Sequence, residues 1–147
     1  MEGLSAAKRD TISSIVDLHN VDAICLQEAH VDADVTNRFS ILGFDLVSFH
    51  LHTKHGRAVY VSQNLAGVAY QFSTTHCDVI KVSAVSIANV YRPPSEPWSE
   101  HNLLPSLPHP AVYVGDFNSQ MQRVRAMICC WSMIQSKRYL RVCSSAM

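Results

Sequence analysis

Ala111-Val112-Tyr113-Val114 runs into Gly115-Asp116-Phe117-Asn118-Ser119. A short apolar, β-branched run reads as a buried strand. The strand ends at a glycine, and a carboxylate and an amide follow it two residues apart. Residues at i and i+2 of an extended segment point to the same side. Asp116 and Asn118 therefore reach one point just past the strand end, which is where open α/β sheets place their chemistry. A carboxylate accepts a proton or faces a metal, and an amide orients a water or a phosphate oxygen. An Asp-Asn turn that merely closes a strand is the competing reading.

Upstream, the chain supplies more strands. Ser5 is placed to cap a helix over residues 6–19, with Ile12, Ile15, Val16 and His19 on one face and Asn20 as its stop. Val21 to Gln27 reads as a buried strand with Glu28 at its end. Residues 31–42 predict a short helix around Val35 and Phe39. Phe44–His50 and Arg57–Val61 predict a hairpin turned by Thr53-Lys54-His55-Gly56. Residues 68–74 predict a strand, and Val79–Tyr91 predicts one or two strands broken near Ala84. Arg92-Pro93-Pro94-Ser95-Glu96-Pro97 must be a loop. Trp98–Leu104 predicts one short helix. The order is that of a mixed α/β chain with hairpins, not a strict βαβ alternation.

At 147 residues and 48% hydrophobic, the chain can bury the core of one domain. No run of 18 apolar residues exists, so no membrane-spanning helix is expected, and the first residues lack the pattern of a signal peptide. Five irregularly spaced cysteines argue for a reducing, intracellular setting. The net charge of zero hides an asymmetry. Residues 1–120 hold 7 Lys/Arg against 12 Asp/Glu, whereas residues 121–147 hold 5 basic residues and no acid. That tail also carries Cys129, Cys130, Cys143 and four of the five methionines. The break predicts a domain over 1–120 and a basic, Cys/Met-rich tail over 121–147 of unrelated coding origin. A basic helix for nucleic acid or a membrane surface is the alternative, and the tail shows no clean helical stripe. Composition does not define an oligomeric state.

Three predicted strands end in polar groups. Glu28 closes Ile24-Cys25-Leu26-Gln27, where a carboxylate is costly unless a cation or donor meets it. Mg²⁺ takes carboxylate oxygens and commonly shares a phosphate with the protein. Asn89-Val90-Tyr91-Arg92-Pro93-Pro94 offers a phenol that can donate to phosphate and a planar cation suited to it. Asp116 with Asn118 is the third. Each has a plain counterpart: an exposed Glu, a Tyr at a sheet edge with a solvated Arg, a polar turn. Three in this order are far more specific than one.

Leu26-Gln27-Glu28, Asn89-Val90-Tyr91-Arg92-Pro93-Pro94 and Gly115-Asp116-Phe117-Asn118-Ser119 together resemble the signature series of the endonuclease/exonuclease/phosphatase superfamily. The nearest likeness is to the endonuclease domain of non-LTR (LINE-type) retrotransposons, which also encode a reverse transcriptase. Gly3-Leu4-Ser5 and His55-Gly56-Arg57-Ala58-Val59-Tyr60-Val61 add to it. The resemblance implies a four-layer α/β sandwich of two mixed, mostly antiparallel sheets flanked by helices. It implies Mg²⁺-dependent hydrolysis of a phosphodiester, with DNA as substrate, in the nucleus. Glu28 would hold the metal, Asp116 would orient or deprotonate the attacking water, Asn118 would steady Asp116 and the phosphate, Tyr91 would donate to the phosphate and Arg92 would bind it.

The family pattern also has an early Asn, which would fall one residue before Met1, and a late Asp and His. After Asp116 the chain has no Asp, Glu or His. The sequence thus predicts an incomplete sandwich, truncated at both ends, with activity reduced or lost. A non-catalytic remnant or interaction module with a nucleic-acid-contacting tail is the alternative, and a phosphatase or sphingomyelinase-like member is a third reading. His50-x-His52-x-x-His55, His76-Cys77 and Cys129-Cys130 do not make metal or nucleophile sets.

Overall fold

The computed structural model describes residues 6–29, 40–52, 56–95, 104–116, 133–135, 138–140 and 142–146. Helix α1 (Ala6–His19) is followed by strands β1 (Ala23–Gln27), β2 (Phe44–His50), β3 (Arg57–Ser62), β4 (Val68–Ser73), β5 (Cys77–Val82), β6 (Val85–Tyr91) and β7 (Ala111–Asp116). Three short strands come from the basic segment: β8 (Met133–Gln135), β9 (Arg138–Leu140) and β10 (Val142–Ala146).

One sheet has the order β10-β1-β3-β2 and the other β4-β5-β6-β7, while β8 and β9 pair on their own. Among the described residues, the parallel pairs are β1–β10 and β6–β7. The expected architecture of two packed, mixed and mostly antiparallel sheets with helical flanking is therefore what the chain forms. β10 runs along the free edge of β1, with Ala23 opposite Val142 and Gln27 opposite Ala146.

Three apolar layers hold the sandwich. Ile12 and Val16 of α1 pack on Ile24, Leu26, Ala58 and Tyr60, the outer face of the first sheet. Ala23, Cys25, Val59 and Val61 meet Ile80, Val82, Val85, Ile87 and Val114 between the sheets. Leu104, Leu107 and Tyr113 cover Cys77, Val79, Ala88 and Val90 on the far side. The strands buried on both faces, β1, β3 and β6, are rich in apolar residues on both sides of the pleat.

Local chemistry fixes the ends of the elements. Asn20 stops α1 at φ +47°, a left-handed conformation that asparagine tolerates. Ser83, at φ +54°, turns the two-residue loop between β5 and β6, so Val79–Tyr91 does contain two strands. The predicted β2–β3 hairpin is present, with a register shift between Leu46 and Ser48. The helix expected over 31–42 falls mostly on residues outside the described ones, and Leu42-Gly43 forms a turn leading into β2. The helix expected over Trp98–Leu104 lies outside them too, apart from Leu104, which is not helical. Ser5 and the turn residues 53–55 are likewise outside the described residues. No helix among the described residues is long and apolar enough to cross a membrane.

Candidate active site

The face between the sheets is apolar along most of its length and polar at one end. Strand alternation carries Ala23 and Cys25 on to Gln27, Val61 and Val59 to Arg57, Val82 and Ile80 to Asp78, Ile87 to Asn89 and Tyr91, and Val114 to Asp116. β1, β6 and β7 end where β3 and β5 begin. Six polar residues are thus stacked at one end of an otherwise greasy interface.

Glu28, Tyr91 and Asp116, predicted from separate strand ends, belong to this end. The Tyr91 hydroxyl donates to Glu28 Oε1 at 2.7 Å. In the parallel β6–β7 pair Tyr91 lies opposite Asp116. Burial pushes the Tyr91 phenol well up from its ordinary value, and the bond to Glu28 and the charges of Glu28 and Asp116 push the same way. Tyr91 therefore stays a hydrogen-bond donor at any physiological pH. Glu28 itself sits at φ +55°, which turns the chain sharply out of β1.

Tyr91 is fixed on both sides by main-chain bonds. Its N–H donates to His76 O at 2.9 Å, and the N–H of Arg92 donates to Asp116 O at 3.0 Å. Arg92, read from sequence as a phosphate ligand, is buried, at 7% exposure. Asn118 lies outside the described residues. Gly115, at φ +146°, lies opposite Val90, and a Cβ there would fall 1.8 Å from Val90 O. Only glycine lets β7 run this close to β6 and deliver Asp116 beside Tyr91.

Sequence reading missed the layer below these groups. Arg57 Nε donates to Asp78 Oδ2 at 2.7 Å, with the two side chains 1% and 0% exposed. Arg57 also donates to the carbonyls of Thr75 and Thr74 at 2.7 and 2.8 Å, and Ser73 Oγ donates to Asp78. Asn89 Nδ2 donates to Leu26 O and Ala58 O at 3.2 and 3.3 Å, and Gln27 Nε2 donates to Asn89 Oδ1. The available signal was alternation: each of these residues continues the inward-facing apolar set of its strand. His50, opposite Arg57 on β2, has its pKa lowered by burial first and then by Arg57.

Burial also pushes the Cys77 thiol up to about 12, with the Asp78 charge adding to the effect. The unfolded chain loses this proton nearer pH 9. Between these values the folded state holds more protons, so the contribution to stability is whole below pH 9 and falls as pH rises. The urea midpoint should drop on going from pH 8.5 to 10.5, and less so in Cys77→Val. A midpoint that is flat over that range would contradict it.

Glu28 and Asp116 present carboxylate oxygens, and the described residues contain no group of three or more His, Cys, Asp or Glu side chains that could hold an ion. That donor set does not suit zinc. It does suit a hard divalent cation, which takes one or two carboxylates and completes its shell with water and substrate phosphate.

A family model described as the endonuclease/exonuclease/phosphatase family matches residues 2–125. The chain belongs to that family, and so is a phosphodiesterase- or nuclease-like domain of a family that generally uses divalent metal ions. No curated protein matches the chain.

Proposed function

We propose that the chain is a Mg²⁺-dependent DNA endonuclease domain of the retrotransposon type, working in the nucleus. The observation that carries the reading is the Tyr91–Glu28 hydrogen bond, with Asp116 opposite Tyr91 in the sheet. A carboxylate bonded to a phenol, with a second carboxylate opposite that residue in the sheet, favours a cation and a phosphate at this end of the interface. The retrotransposon type is supported by the sequence around the strand ends, such as Asn89-Val90-Tyr91-Arg92-Pro93-Pro94.

In this reading Glu28 would hold the Mg²⁺, whose charge would offset that on the scissile phosphate and the leaving oxygen. Asp116 accepts a proton from the attacking water and aims it. Tyr91, kept protonated by its surroundings, donates to a phosphate oxygen as charge develops there. Asn118 steadies Asp116 and the phosphate, and Arg92 supplies positive charge beside Asp116.

A second reading, a non-catalytic remnant whose basic segment 121–147 contacts nucleic acid, is favoured by one observation. Residues 121–147 hold 5 basic residues and no acid, a composition suited to a phosphate backbone. The charge break also supports a separate coding origin for 121–147.

Nicking of supercoiled plasmid decides between the two. Open circles should form with Mg²⁺ and not with EDTA, vanish in Glu28→Ala, and form about 10²-fold more slowly in Tyr91→Phe. Mg²⁺-independent nicking, or no nicking by the folded chain, would overturn the catalytic reading.

A further inference from the structure

The amide pair behind the site has no part in the chemistry just described. Gln27 immediately precedes Glu28, and Asn89 stands two residues before Tyr91. Both are buried, at 1% and 0% exposure. They belong to different sheets and meet across the interface, with Gln27 Nε2 donating to Asn89 Oδ1. Asn89 spends its own N–H groups on Leu26 O and Ala58 O, which belong to β1 and β3. Each bond therefore runs from the strand that carries Tyr91 to the sheet that carries Glu28.

A leucine at 89 would pack there with less desolvation, as Ile87 does one inward position below. The amide gives directional bonds of fixed length instead of a slippery apolar contact. Sheets packed only through aliphatic side chains can shift by fractions of an ångström, and the 2.7 Å bond between Tyr91 and Glu28 tolerates little shift.

We propose that Gln27 and Asn89 are positioning residues, a cross-sheet amide latch that sets the spacing of Glu28 and Tyr91 and so holds the site in the form that takes a divalent cation. The proposal rests on the reading of Glu28 and Tyr91 as site residues. Its test does not depend on catalysis.

The Tyr91 hydroxyl proton, bonded to Glu28, should give a slowly exchanging downfield NMR signal that disappears in Tyr91→Phe. In Asn89→Leu the signal should be lost and Mn²⁺ binding should weaken by about 10–100-fold. Gln27→Met, which removes one bond of the latch, should do the same to a lesser degree and covers the case in which Asn89→Leu does not fold. Ile87→Val trims the same core on the same strand without touching an amide, and should keep both the signal and the Mn²⁺ affinity. If Gln27→Met keeps the hydroxyl signal and binds Mn²⁺ as the parent chain does, the proposal fails. It also fails if Ile87→Val loses them equally, because the amides would then be ordinary core residues. An absence of DNA nicking would defeat the catalytic reading and leave these outcomes as they stand.

Discussion

Gly115→Ala should cost the chain at least about 4 kcal/mol and separate β7 from β6. The added Cβ would lie 1.8 Å from Val90 O and 2.7 Å from Val90 C. These are backbone atoms of a paired strand, so no rotamer change relieves the contact. The φ of +146° adds strain for any residue with a Cβ. The only escape is to move β7, which breaks the pairing of Val90 with Gly115 and of Tyr91 with Asp116. β7 also brings Val114 to the core between the sheets. Chemical denaturation should show a midpoint far below that of the parent chain, and hydrogen exchange should show the β6 amides that face β7 unprotected. A variant with near-parent stability would mean that β7 does not run where it is described.

Asp78→Ala should cost about 3–5 kcal/mol. The loss of attraction is the smaller part. Arg57 is 1% exposed and would keep its bonds to the carbonyls of Thr74 and Thr75, but its charge would be buried without a counterion. The damage would reach the site, because Arg57 braces the 74–75 turn and His76 O in the next position accepts the N–H of Tyr91. Arg57→Met with Asp78→Leu should recover most of the stability, since a buried ion pair gains little over well-packed apolar groups. Thermal and urea unfolding of the three variants checks both statements. A double variant as unstable as Asp78→Ala would show that the ion pair carries net stability.

β1, β3 and β6 were legible because they are buried along nearly their whole length. Most of their residues are apolar on both faces, which marks them by composition, and Asn20 and the Arg92-Pro93-Pro94 loop mark where elements stop. The candidate site residues Glu28, Tyr91 and Asp116 stood out because each is a polar group just where an apolar run ends. Pairing was not legible. The parallel approach of β7 to β6 depends on a backbone contact at Gly115, and the sequence shows there only a glycine that could equally close a turn. β10 on the edge of β1 could not be read either, because the segment around it shows neither a helical stripe nor an apolar run. Arg57 and Asp78 look like surface charges in one dimension. They become a buried pair only when two strands twenty-one residues apart face each other.

Position 28 sets folding against chemistry. A left-handed backbone costs an L-residue other than glycine on the order of 1 kcal/mol, and Glu28 adopts it at φ +55°. Selection for a stable chain alone would drift toward glycine here. On the proposed reading of Glu28 as a metal ligand, that strain is what it costs to place a carboxylate at this point of the backbone. Among sequences of this kind, the first to have stopped using the site should be those in which this strain has been released.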